Sequence, residues 1–331
     1  MEGNRIAVLG AGSWGTALAM QANRAGSDVT LWVRDSNLEQ MMRTTRLNTR
    51  YLPNQFIDPA ITITHDLDVA CAADVLILAV PSQALRTLCI TLADRIDESI
   101  PMIIASKGIE RGSFMLMSEV LESTLTQNPI VILSGPNFAI ETAQGLPTAT
   151  VLASRDRRLA ERIQFMLSGH VFRPYISDDV MGVQVGGAIK NVIAIACGMT
   201  IGANLGENAR AAVMTRGLAE MARLAEVKGG QAKTLQGLAG IGDLMLSCAS
   251  EQSRNMRLGM QVGKHSIDGF VPTETVNPLT EGVSTAEAVY DLSMKLGISM
   301  PISVVVCNIL RMRMSVQEGM EELLSRPLGL E

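Results

Sequence analysis

Two hydrophobic periods divide the chain. Through the first 180 residues, short apolar runs recur between helix-forming stretches. Residues 6–9 (IAVL), 73–80 (ADVLILAV), 100–105 (IPMIIA) and 129–133 (PIVIL) have the length and continuity of strands buried on both faces of a parallel sheet. Residues 28–33 (DVTLWV), 148–153 and 171–176 predict further strands, and 16–22 (TALAMQA) predicts the first helix. Such alternation specifies a doubly wound α/β layer. From Val180 onward strand signals vanish. A long helix contains Lys190, residues 215–227 are amphipathic, Ser284 and Glu287 form a capping box expected to open a helix that stops at Gly297, and Ser315 with Glu318 opens the last one. The expected plan is α/β: a doubly wound domain over residues 1–180 followed by an all-helical domain over residues 181–331.

The first strand runs into Gly10, Gly12 and Gly15, spaced G-x-G-x-x-G, and the helix follows at once. Gly10 permits the turn, Gly12 lets backbone approach a pyrophosphate, and Gly15 lets helix pack close to strand, so helix N–H groups and dipole face an anion. With strand before and helix after, the motif predicts a Rossmann-type dinucleotide site. The second strand ends at Arg34-Asp35, where an acidic side chain would bond the ribose hydroxyl of NAD(H) and an arginine would neutralise the phosphate of NADP(H). Both types stand there. Arg34 comes first after the strand, which favours NADP(H) without excluding NAD(H).

Composition narrows the partners. The 331 residues are 47% hydrophobic, enough for two cores. A net charge of −5 and 3% aromatic residues argue against nucleic acid. The longest apolar runs, 75–81 and 192–203, fall short of a membrane span, so no stable membrane insertion is expected. The N-terminal apolar run is broken by the glycine turn and has no basic leader, so a cytoplasmic location is expected. Cys71, Cys89, Cys197, Cys248 and Cys307 form no C-x-x-C pair, and His65, His170 and His265 have no metal spacing; buried thiols and no metal are expected.

Ligands of doubly wound sheets collect beyond the carboxyl ends of the strands, which places Lys107, Gly135 and Asn137 where substrate would lie. In the helical part, Gly186 and Gly187 precede Lys190 by one turn on the same face, leaving bare backbone beside the lysine and room for a small ligand; close helix packing is the plainer explanation. An ammonium in so apolar a helix is costly and suited to exchanging a proton with an alcohol. A glycine-rich run, 237–242, leads to Asp243, and Ser253-Arg254-Asn255 offers a hydroxyl, a guanidinium and an amide that suit a phosphate.

Together, GAGSWGTALA from Gly10, SKG from Ser106, SGPNFA from Ser134, GGAIKNVIA from Gly186, GIGDL from Gly240, QSRN from Gln252 and Glu281-Gly282 resemble bacterial NAD(P)-dependent glycerol-3-phosphate dehydrogenase, in order and over nearly the whole chain. The resemblance implies reversible NAD(P)H-dependent reduction of dihydroxyacetone phosphate to sn-glycerol 3-phosphate, feeding glycerophospholipid synthesis. It makes Lys190 the proton carrier. Lys107, Gly135, Asn137, Lys190, Asp243, Ser253, Arg254 and Asn255 would line the substrate site, and Ser13, Trp14, Arg34, Lys107, Ala139, Arg254, Leu279 and Glu281 would join the glycine turn at the cofactor. The family usually has Ser or Thr where Asn137 stands, and Val-Val-Glu-Gly-Tyr where this chain has Leu-Thr-Glu-Gly-Val. A homodimer is compatible with the sequence but not fixed by it. A β-hydroxyacid dehydrogenase related to the 6-phosphogluconate enzyme and a non-catalytic dinucleotide-sensing module stay open as alternatives.

Overall fold

The computed structural model describes residues 4–267 and 280–327. The chain divides into two compact units, one made of Met1–Lys107 and Met115–Gln184, the other of Gly108–Phe114 and Val185–Glu331.

The first unit is a doubly wound layer. Its elements are β1 (Arg5–Leu9), α1 (Ser13–Arg24), β2 (Asp28–Trp32), α2 (Ser36–Thr45), β3 (Leu47–Asn48), β4 (Leu52–Phe56), β5 (Thr62–Thr64), α3 (Leu67–Cys71), β6 (Val75–Leu78), α4 (Leu85–Leu92), β7 (Met102–Ile104), α5 (Met117–Glu122), β8 (Ile130–Ser134), α6 (Ala139–Ala143), β9 (Thr148–Ala153), α7 (Arg157–Leu167) and β10 (Phe172–Ser177). Eight strands form one sheet in the order β10-β9-β8-β7-β6-β1-β2-β5. All neighbours are parallel except β8 and β9, so the last two strands run against the rest. The central strands β6 and β7 are buried at every position, which is why they read as unbroken apolar runs. Helix α1 begins at Ser13, three residues before the stretch that hydrophobicity marked, because the turn delivers helical geometry directly after Gly12. The short β5 and the β3–β4 hairpin carry no clear sequence signal.

The second unit is helical: α8 (Val180–Gly202), which starts in the first unit's sequence range, α9 (Gly206–Val227), α10 (Asp243–Ala249), α11 (Arg254–Ile267), α12 (Glu281–Leu296), α13 (Pro301–Leu310) and α14 (Val316–Leu324). Helix α8 corrects one expectation. At 23 residues it is long and apolar enough to cross a membrane, and its most apolar window is 94% buried inside the protein, as a core helix is. It crosses α11 through glycines: a Cβ on Gly198 would lie 2.2 Å from the Met256 carbonyl, and one on Gly259 2.1 Å from the Ile195 carbonyl. The capping expectations divide. Ser315 caps α14, accepting from the Glu318 N–H at 3.1 Å, and Gly297 ends α12 at φ 65°. Ser284 does not open a helix: α12 already starts at Glu281, and buried Ser284 bonds back to the Glu281 carbonyl at 3.1 Å. Ser-x-x-Glu spacing also arises inside a helix, where the serine donates backward instead of capping.

Candidate active site

In the first unit the glycine turn is built as its spacing predicts. Gly10 has φ +117°, closed to side chains, and a Cβ there would lie 2.7 Å from the Ala79 carbonyl. A Cβ on Gly15 would lie 1.9 Å from the Gly10 carbonyl, so helix and turn touch backbone to backbone. Gly12 faces open space. No side chain caps α1, and the Thr16 N–H is the first to find a helical partner, the Gly12 carbonyl at 3.0 Å. The open cradle and uncapped helix end fit a dinucleotide pyrophosphate.

The hydroxyl of Ser13 donates to the Tyr51 carbonyl at 2.5 Å, so its proton is committed within the protein. The indole N–H of Trp14 is buried without a partner. Ala139 opens α6, which packs on α1. Asp35 is the N-cap of α2: its Oδ1 accepts from the N–H groups of Asn37 (2.9 Å) and Leu38 (3.2 Å), while Arg34 is exposed. Sequence reasoning passed over Asn48, a fully buried amide whose Nδ2 donates to the Ala11 carbonyl and the Thr16 hydroxyl, each at 2.9 Å. A polar residue next to a tight turn was its only signal.

Past β7 and β8, Lys107 Nζ donates to the Gly135 carbonyl at 3.3 Å, so these two residues meet. The Asn137 amide nitrogen is spent on the Ala149 carbonyl at 2.9 Å, and its Oδ1 is buried without a partner. What Asn137 has to offer is an acceptor.

In the second unit Lys190 Nζ forms a buried ion pair with Asp243 Oδ1; Asp243 is fully buried and the lysine side chain is 10% exposed. Glycine builds the pair. A Cβ on Gly186 would lie 2.2 Å from the Ala239 carbonyl, and one on Gly240 2.1 Å from the Leu235 carbonyl. The wide turn Leu238–Gly242 can therefore lie against α8 and start α10 at Asp243, facing Lys190. This corrects the expected role of Gly186, which serves close packing rather than room for a ligand. Deeper in the same unit, a hydrogen bond with Cys197 and then burial hold the Cys248 thiol well above its usual range, leaving it un-ionised and unreactive.

Ser253, Arg254 and Asn255 stand at the start of α11, a helix N-terminus suited to phosphate. The Ser253 hydroxyl accepts from the Met256 N–H at 3.3 Å, and Arg254 is exposed. Asn255 is a clasp: its Oδ1 accepts from the Gly282 N–H at 3.2 Å, and its Nδ2 donates to Asn191 Oδ1 at 2.9 Å, which leaves one amide hydrogen for a ligand. Asn191, next to Lys190, was missed because its polarity is hidden in an apolar helix. Glu281 opens α12, and Leu279 lies outside the described residues.

A mostly parallel sheet with an open glycine turn at a helix N-terminus, joined in one chain to a helical unit holding a buried lysine and aspartate, defines a nicotinamide-dependent dehydrogenase. The model described as NAD-dependent glycerol-3-phosphate dehydrogenase N-terminus matches residues 5–160, and its C-terminal counterpart matches 179–321. The chain belongs to that family. It is 44% identical to the glycerol-3-phosphate dehydrogenase [NAD(P)+] of Parvibaculum lavamentivorans over 330 residues, 99% of this chain and 98% of that one. The Rhodospirillum rubrum protein of the same name is also 44% identical, with 99% and 94% covered. The crystal structure of glycerol-3-phosphate dehydrogenase from Coxiella burnetii is similar with a TM-score of 0.92 at 39% identity, covering 98% of this chain and 99% of that one.

Proposed function

We propose that the chain reduces dihydroxyacetone phosphate to sn-glycerol 3-phosphate, reversibly, supplying the backbone of glycerophospholipids from the cytoplasm. Residues 1–180 serve the cofactor and 181–331 the substrate. The observation that carries this is the buried Lys190–Asp243 pair. NADH or NADPH, when bound, supplies a hydride to the ketone carbon. Lys190, as ammonium, gives its proton to the ketone oxygen as negative charge develops there. Asp243 fixes the amine and balances its charge. Arg254, with the first turn of α11, meets the phosphate; Asn255 keeps one amide hydrogen for the same group. In the first unit, Lys107 and the Gly135 carbonyl that it bonds stand beyond the ends of β7 and β8, where ligands of a doubly wound sheet collect.

The test pairs two substitutions. Lys190→Ala removes the proton carrier, and Lys190→Arg keeps the ion pair with Asp243 but cannot release a proton. Both should lower kcat with dihydroxyacetone phosphate by about 10²- to 10⁴-fold, the usual range for a lost general acid, while NADPH still binds. A folded Lys190→Arg protein with near-normal turnover would refute the role.

A further inference from the structure

We propose that Arg50, on the turn of the β3–β4 hairpin, is a second reader of the cofactor's ribose phosphate beside Arg34, and that the two together make NADP(H) the preferred dinucleotide. The inference rests on the family reading above and concerns only which of two cofactors is favoured.

The hairpin turn is fastened to the glycine turn. Ser13 Oγ donates to the Tyr51 carbonyl (2.5 Å), Asn48 Nδ2 donates to Ala11 and Thr16 (2.9 Å each), and the Tyr51 N–H returns to Asn48 Oδ1 at 3.2 Å. Arg50 sits inside this fastened segment. Its guanidinium carbon lies 5.1 Å from the Tyr51 ring centroid, and Nη1 reaches Asp35 Oδ2 at 3.4 Å. The hairpin therefore brings a distant arginine to the end of β2, the position at which a dinucleotide's adenosine ribose is read.

Asp35 carries the other half of the inference. An acidic residue here would bond the ribose hydroxyl of NAD(H) and repel the phosphate of NADP(H). One oxygen of Asp35 caps α2 through two backbone N–H groups, and the other faces Arg50. The carboxylate is committed to its helix and neutralised by the hairpin arginine. Arg34 precedes it in the chain and Arg50 pairs with it across the hairpin. Arg34 is exposed, and Arg50 uses only Nη1 among the described residues, so the fork of each remains for phosphate oxygens.

The experiment is calorimetric titration of NADPH, NADH and adenosine 2′,5′-bisphosphate into wild type, Arg50→Ala, Arg34→Ala and Asp35→Asn. Arg50→Ala should weaken NADPH and the bisphosphate about 5- to 30-fold, the loss of one charge-assisted bond at a half-exposed site, and NADH by at most about twofold. Arg34→Ala should show the same selectivity. Asp35→Asn keeps a good cap and should not weaken NADH. Equal losses on NADPH and NADH in Arg50→Ala, a lower melting temperature with no change in their ratio, or a loss confined to NADH in Asp35→Asn would each overturn the proposal. Dihydroxyacetone phosphate reduction by the wild type with either cofactor tests the family reading separately, because that reaction does not depend on which dinucleotide is favoured.

Discussion

Gly186→Ala should damage catalysis more than stability. The added methyl would stand 2.2 Å from the Ala239 carbonyl oxygen, against about 3.3 Å for an ordinary carbon–oxygen approach, so α8 and the 238–242 turn must part by roughly 1 Å. The obstacle is backbone on both sides, so no rotamer change relieves it. Asp243 follows this turn and Lys190 lies one turn along α8, so the separation falls on their ion pair. Overpacking of this kind costs about 1 to 3 kcal/mol, offset by up to about 1 kcal/mol because alanine favours helix over glycine. The net stability loss should be small, about 0 to 2 kcal/mol by the same principles. A misplacement of about 1 Å at a proton donor can cost on the order of 100-fold in rate. Thermal melts and steady-state kinetics with dihydroxyacetone phosphate measure the two effects on one preparation. If Gly186→Ala melts several degrees lower yet keeps wild-type kcat, the close approach at Gly186 does not set the geometry of Lys190 and Asp243.

Arg254→Lys should keep the charge and lose the fork, weakening dihydroxyacetone phosphate by about 1.5 to 3 kcal/mol in kcat/KM and sparing unphosphorylated dihydroxyacetone. Equal losses on both ketones would show that Arg254 does not hold the phosphate. Glu220 on α9 is fully buried and accepts from the N–H groups of Ile302 (2.6 Å) and Ser303 (3.1 Å) and the Ser303 hydroxyl (2.7 Å), capping α13 from outside. Glu220→Gln turns an acceptor into a donor facing donors and should cost about 1 to 3 kcal/mol in a denaturant melt at neutral pH. Burial raises the Glu220 carboxyl above its ordinary 4.5, so its contribution is full below that pH and declines as pH climbs through the folded value. The melting-temperature gap between wild type and Glu220→Gln should therefore widen on acidification from neutral, and a gap that narrows would contradict this sign.

The sequence by itself determined whatever depends on local spacing. Fully buried strands must be apolar at every position, so β6 and β7 were legible as runs. Gly10 and Gly15 were legible because only glycine satisfies the turn and the helix approach. Ser315 and Gly297 could be read for the same reason, a cap being a short-range pattern. Where two environments share one pattern, reading failed, as when Ser284 fell inside α12 instead of before it.

Tertiary structure decided the rest, because the partners are remote in the chain. Lys190 is conspicuous alone, but its counterion is 53 residues away and arrives only because Gly186 and Gly240 allow backbone to meet backbone. Arg34 and Asp35 are equal candidates in sequence. In the fold the carboxylate is spent on two N–H groups of its own helix, while the β3–β4 turn, held by the buried Asn48, brings Arg50 to its other oxygen. A residue's type limits what it can bond, but what remains free for a ligand is fixed by neighbours that only folding supplies.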